Sequence, residues 1–135
     1  SLAEVLVVLA AAALLIFGAS AAFINSSPKY RLKKASWEVY ARLNYARHRA
    51  IFEGRPVRVR FSQGGYLVEK FDTGLNEWRP DISGVLEGVK VEANNSPIFY
   101  PVGTVSNLAT ILLSNPWGEC RITLAISGRI KVAMP

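Results

Sequence analysis

The chain has 135 residues, half of them hydrophobic, a formal net charge of +6 and a single cysteine. That length sets a prior of one domain, and a lone thiol excludes an intrachain disulfide and a cysteine-built metal site. With one histidine as well, and no glycine-rich phosphate loop or closely spaced acid pair, no set for hydrolytic or redox chemistry can be assembled; no cofactor, metal or enzymatic activity is expected.

The N-terminal stretch Val5 to Ile24, VLVVLAAAALLIFGASAAFI, carries no charge. At about 1.5 Å per residue its helix would span a hydrocarbon core of about 30 Å. Glu4 stands immediately before it, and an acid at the edge of such a run is costly in lipid unless it finds a partner. Three readings fit the segment. A secretory signal peptide would need a basic start and a shorter apolar run. For an ordinary anchor beginning at Ser1, the cations Lys29, Arg31, Lys33 and Lys34 after the span would place the rest of the chain in the cytoplasm. A basic leader cut from in front of the span would place it outside. Composition leaves the last two open.

Beyond the span, Asn25-Ser26-Ser27-Pro28 reads as a helix start, with Ser27 as N-cap and Pro28 at the first helical position. Gly18 and Ser20 weaken the helix upstream, so the two segments join directly or through a loosened stretch between Gly18 and Ser27. Residues 28–53 form an amphipathic helix: Leu32, Ala35, Val39, Leu43, Ala46 and Ala50 recur at three- and four-residue steps, widened by Trp37, Tyr40 and Ile51. Its alanines suit close approach to a sheet. Arg42, Arg47 and Arg49 point elsewhere, and His48 among them is a surface residue. From Lys29 to Arg60 there are ten Lys/Arg against Glu38 and Glu53, whereas Phe61 to Pro135 is nearly balanced. Such a block serves acidic lipid, nucleic acid or an acidic neighbouring subunit, or is simply a solvated face.

Gly54 ends the helix and the period changes to two. Val57, Val59 and Phe61 alternate with Arg58 and Arg60, and Ser62-Gln63-Gly64-Gly65 turns the chain into Tyr66–Phe71, a β-hairpin. Asp72 to Gly84, broken by Gly74, Pro80 and Gly84, reads as a polar loop with Trp78 anchoring it to the core. Its acids Asp72, Glu77 and Asp81 do not match an EF-hand spacing and read as solvated. Short strands follow at Val89–Glu92, Ile98–Tyr100, Ala109–Leu113, Arg121–Ile126 and Arg129–Val132, the last two joined tightly through Ser127-Gly128. Cys120 is expected in the core. Tyr66, Trp78, Tyr100 and Trp117 are candidates for exposed aromatics that serve adhesion or subunit packing. The expected fold class is α+β: one long helix whose second half lies on an antiparallel sheet over residues 57–135. Residues 1–27 then form a transmembrane or filament-core helix, and residues 28–135 a globular domain.

This order of parts resembles the type IV pilin superfamily, and SLAEVLVVLA is similar to the pilin methylation segment without its usual first Phe. The stretch Val39 to Ile51 with Gly54-Arg55-Pro56-Val57, and the closing Cys120–Leu124 and Ser127–Val132, resemble the GspH/FimT-type pseudopilin (minor pilin) branch. The resemblance implies a pilin fold and a structural subunit of a type IV pilus-like or type II secretion-type filament. It implies a leader removed by a prepilin peptidase, a methylated N-terminal amine, and a single-pass state in the inner membrane with the globular part outside. Copies of the chain would then join an extracellular or periplasmic helical filament, with other minor pilins and an inner-membrane assembly platform as partners. In the superfamily the glutamate is the fifth mature residue, so its place at Glu4 implies one residue before Ser1. The superfamily's frequent proline within the first helix is absent. Glu4 would pair with the amine of a neighbouring subunit, while Leu2, Val5, Leu6, Leu9, Leu14 and Gly18, with the small residues Ala10–Ala13 and Gly18–Ala22, would pack helix on helix. The alternative implied by the FimT side is a minor pilin that binds DNA for natural transformation. Its Gly-Arg-x-Arg element is nearly matched by Gly128-Arg129-Ile130-Lys131, and Lys131 keeps the charge without the bidentate fork.

Overall fold

The computed structural model describes the backbone of residues 1–135 and all side chains except those of Ala22, Ile24, Asn25 and Ser26. Two helices lead the chain, α1 (Leu2–Ser26) and α2 (Pro28–Glu53). Nine strands follow: β1 (Val57–Ser62), β2 (Gly65–Asp72), β3 (Glu77–Val85), β4 (Lys90–Ala93), β5 (Ile98–Phe99), β6 (Val105–Ser106), β7 (Thr110–Asn115), β8 (Gly118–Leu124) and β9 (Ile130–Ala133). They build two antiparallel sheets, ordered β3-β2-β1-β5-β6 and β4-β7-β8-β9, and α2 lies across both. The fold is α+β, as expected.

The helical period in α2 maps onto burial without error on its main face: Leu32, Ala35, Val39, Leu43, Ala46 and Ala50 are all buried. Val57, Val59 and Val68 meet them from the five-stranded sheet, and Ile111, Leu113, Cys120 and Ile122 from the four-stranded one. Ser36 is buried on the same face because its hydroxyl donates to Leu32 O at 2.7 Å. The expected widening of the stripe is corrected. Trp37 is 69% exposed and Ile51 is exposed too, since both lie beyond the arc that the sheets cover.

No loosened stretch separates the helices. α1 stays helical past Gly18 and Ser20, with the Ser20 hydroxyl returned to Ile16 O, and only Ser27 leaves helical geometry, at φ −62° and ψ 129°. Ser27 is the N-cap with Pro28 following, but its side chain makes no cap bond; its carbonyl accepts from Arg31 N–H at 3.0 Å. Gly54 closes α2 in the left-handed region, its N–H on Ala50 O.

The main correction concerns the region read as a loop. Residues 77–85 form β3, the nine-residue edge of the larger sheet, paired with β2 from Gly65↔Val85 to Asp72↔Glu77. Pro80 is tolerated because an edge strand can turn its missing N–H to solvent, and the register shifts beside it, between Val68 and Glu69. Gly84 is required by Tyr66, whose ring crosses it closely enough that a Cβ would lie 2.4 Å from the hydroxyl. Trp78 does not anchor a loop to the core. It lies on the outer face, edge-on to Phe71 at 5.3 Å and beneath the Arg58 guanidinium at 4.4 Å. Tyr66, expected outside, is buried. The later strands fall within a few residues of expectation, except that Ile126 leaves β8 for an exposed turn and the short β6 was not foreseen.

Candidate functional site

The sequence-derived assembly residues all lie on α1. Leu2, Val5, Leu6, Leu9 and Leu14 are exposed, and a Cβ added at Gly18 would meet nothing within 4 Å. None of the described side chains of α1 is buried, so the segment Leu2–Ala21 offers its apolar surface all round. A folded domain does not leave so large an apolar surface to water; it marks contact with a membrane or with other protein. At its tip Glu4 is 83% exposed, with Oε2 3.3 Å from the Ser1 nitrogen. The Glu4 N–H donates to Ser1 Oγ at 3.3 Å, closing the first turn. Glu4 thus presents its carboxylate to whatever surrounds the start of α1.

The structure divides the basic block, which the sequence could not. Arg58 donates through Nε and Nη2 to the buried Glu69, and Arg60 joins it at 3.5 Å. Arg42 Nε donates to Tyr66 Oη at 3.0 Å. Arg49 pairs with Glu53, which also receives Lys70. Arg47 runs along the domain to Gly103 O and Ser127 O. Of the three expected to point away, Arg42 and Arg47 tie α2 to the rest of the domain while Arg49 pairs within the helix; Arg58 and Arg60 join β1 to β2. The remaining cations at the start of α2, Lys29, Arg31, Lys33 and Lys34, are exposed. Among the described residues none of the four is in an ion pair.

Arg129 and Lys131 are also exposed, two residues apart at the start of β9. Lys131 lies opposite Thr123 on the outer face of the smaller sheet, which it shares with Glu92 and Glu119, while Arg129 sits in the turn. The glycine before them has a packing reason: at φ +88°, a Cβ on Gly128 would lie 2.5 Å from Arg47 Nε and 2.7 Å from Gly103 O.

The acids once grouped as a loop serve local structure. Asp72 accepts from the N–H groups of Gly74 and Leu75 and holds Arg79; Asp81 accepts from Tyr45 Oη at 2.8 Å. His48 is exposed, and Cys120 is buried, its thiol pushed up by burial against an opposing hydrogen bond with Ser36.

The family model for the type II transport protein GspH matches residues 35–129. No curated protein matches the sequence. Among solved structures, the chain is similar to the minor pseudopilin EpsH of the type 2 secretion system of Vibrio cholerae, with 16% identity and a TM-score of 0.69 over 81% of this chain and 97% of that one. The type IV minor pilin FimU of Pseudomonas aeruginosa matches at 17% identity and a TM-score of 0.66, over 83% of this chain and 92% of that one. Escherichia coli GspH matches at 14% and 0.65, covering 77% of this chain and 88% of that chain. At such identities the likeness speaks for the fold.

Proposed function

Because the chain belongs to the GspH family of type II transport proteins, within the type IV pilin superfamily, we propose that it is a minor pseudopilin that enters a helical filament through α1. One observation carries this reading: a helix with no buried side chain among those described leads directly into a helix that forms the core of the domain. Before assembly α1 spans the inner membrane, with the sheets outside. In the filament the helices of neighbouring copies or of other minor pilins replace the lipid. Because apolar surroundings are kept in both states, the preference for the filament must come from side-chain packing and a few polar contacts. Leu2, Val5, Leu6, Leu9 and Leu14 supply knobs, and Gly18 allows close approach.

Glu4 supplies the polar contact. Buried among helices without a counter-charge it would cost several kcal/mol, and an amine from the adjacent subunit relieves that penalty. The carboxylate thereby selects one axial register. A prepilin peptidase that removes a basic leader and an inner-membrane assembly platform complete the pathway. The role is structural rather than catalytic. The DNA-binding alternative through Arg129 and Lys131 gains no support from the family match, and the face that Lys131 shares with Glu92 and Glu119 is of mixed charge.

The test is electron microscopy of material sheared from cells, combined with mass spectrometry of the mature N-terminus. Filaments containing this chain, with a processed and methylated terminus, are expected. A chain that stays in the bilayer as a monomer with its sheets in the cytoplasm would overturn the reading.

A further inference from the structure

We propose that the base of the sheet domain, where α1 leaves it, docks on the anionic phospholipid headgroups of the membrane that holds α1. The proposal rests on the membrane-anchored state described above. Three features meet at this pole.

The first is charge. Lys29, Arg31, Lys33 and Lys34 occupy the first turns of α2, exposed and outside any ion pair among the described residues. Lys29 stands one residue after Pro28, directly beyond the Ser27 break that ends α1. Helical side chains lean toward the N-terminus, here toward the bilayer, which favours Lys29 and Lys33, whereas Arg31 packs against Gly88 and lines a recess with Lys34 and Glu87. The reach of the two lysines coincides with the layer where anionic lipid attracts basic segments.

The second is an apolar foot beside them. Asn115 Nδ2 donates to Pro28 O at 2.6 Å, and Lys29 Nζ lies 5.6 Å from the Trp117 ring centre, so the β7–β8 turn is fastened to the start of α2. The chain end returns to the same place, since a Cβ on Gly118 would meet Pro135 Cγ at 3.1 Å. Trp117 is 40% exposed and Met134 41%. A tryptophan and other apolar side chains flanked by lysine are the composition of a membrane interface.

The third is a recess of about 270 Å³ whose lining includes Ser27, Lys29, Tyr30 and Lys33. Its surface is mostly apolar and includes Phe23, so it suits the carbon of a lipid at glycerol level, with the two lysines beside it for the headgroup. A second copy of this chain is the poorer occupant. Among the described residues of the sheet domain, the exposed carboxylates Glu77, Asp81, Glu92 and Glu119 already pair with Arg79, Lys70, Lys90 and Arg121, and Glu87 shares a recess with Arg31 and Lys34. Docked this way, the domain lies against the bilayer until filament entry replaces the headgroups with protein.

The test uses the full chain with Trp117 as sole tryptophan (Trp37→Phe/Trp78→Phe), in nanodiscs of phosphatidylcholine alone or with about a third phosphatidylglycerol. Each disc carries a lipid spin-labelled near the headgroup as quencher. Trp117 emission should be quenched about twofold more in the anionic discs. The difference should vanish at about 1 M salt, where the Debye length is about 3 Å, and in Lys29→Glu/Lys33→Glu. Equal quenching in the two lipids, or no response to charge reversal, overturns the proposal while leaving the anchor intact. Flotation with both vesicle types at high salt tests the anchor separately; failure to float with either would overturn both.

Discussion

The Tyr66 hydroxyl donates to Glu38 Oε1 at 2.8 Å, binding the second strand to the middle of α2. The same oxygen accepts from Arg42 Nε at 3.0 Å, so one phenol serves two helix residues a turn apart. Gly84 makes room for the ring on its far side.

Removing that hydroxyl leaves Glu38 and Arg42 without their shared partner. Tyr66→Phe should destabilise the domain by about 1–2 kcal/mol, read from denaturant unfolding. Burial first, then the hydrogen bond to Glu38, pushes the Tyr66 phenol above its ordinary value, with Arg42 opposing. A group whose folded value is raised adds stability that is whole below its unfolded pKa and is lost as pH climbs through the folded one. The stability difference between wild type and Tyr66→Phe should therefore be constant up to about pH 10 and shrink above it. A difference that grows with pH would contradict this geometry.

Gly128→Ala should destabilise by about 1–3 kcal/mol, because it combines a left-handed backbone with a clash. The added methyl meets both Arg47 and Gly103 O. Deleting the arginine side chain removes one obstacle and leaves the other. Arg47→Ala/Gly128→Ala should accordingly remain less stable than Arg47→Ala alone, as thermal unfolding would reveal.

Cys120 is buried, and its thiol is raised by that burial. At about pH 8 a thiol reagent should label it at least about 100-fold more slowly than the unfolded chain, at a rate that follows opening of the core. Rapid labelling under native conditions would place the thiol at the surface instead.

Glu4→Ala should leave the melting temperature unchanged, because the side chain is 83% exposed on a helix that stands outside the domain core. Filament incorporation should fall sharply, with Glu4→Gln intermediate at best since the amide lacks the charge. Normal incorporation of Glu4→Ala would remove the register role.

In gel shifts at about 0.15 M salt, Arg129→Ala/Lys131→Ala should behave as wild type, with neither retarding DNA. Phosphate binding needs several cations on one track, and two alone release too few counterions to hold DNA at this salt. Binding by wild type that is lost in the double variant would restore the nucleic-acid reading.

Much of this protein is written locally in the chain. An uncharged run, a 3.6-residue period in α2 and a two-residue period in β1 each state which side of an element avoids water, and the structure follows all three. The glutamate ahead of the apolar helix is equally visible, because its chemistry depends on what stands next to it in sequence. What tertiary structure decided is the pairing beyond the two tight hairpins that turn chemistry already marks, β1–β2 and β8–β9. β3 was hidden because Pro80 and Gly84 break a strand only where no neighbour or aromatic ring gives them a use, and β2 with Tyr66 supplies both. Arg47 reaches Ser127 across 80 residues, and Asn115 reaches Pro28 across 87. No periodicity carries such contacts. They arise from the shape of a packed core, which turned half of a basic segment into internal ties and left the cations at the start of α2 exposed.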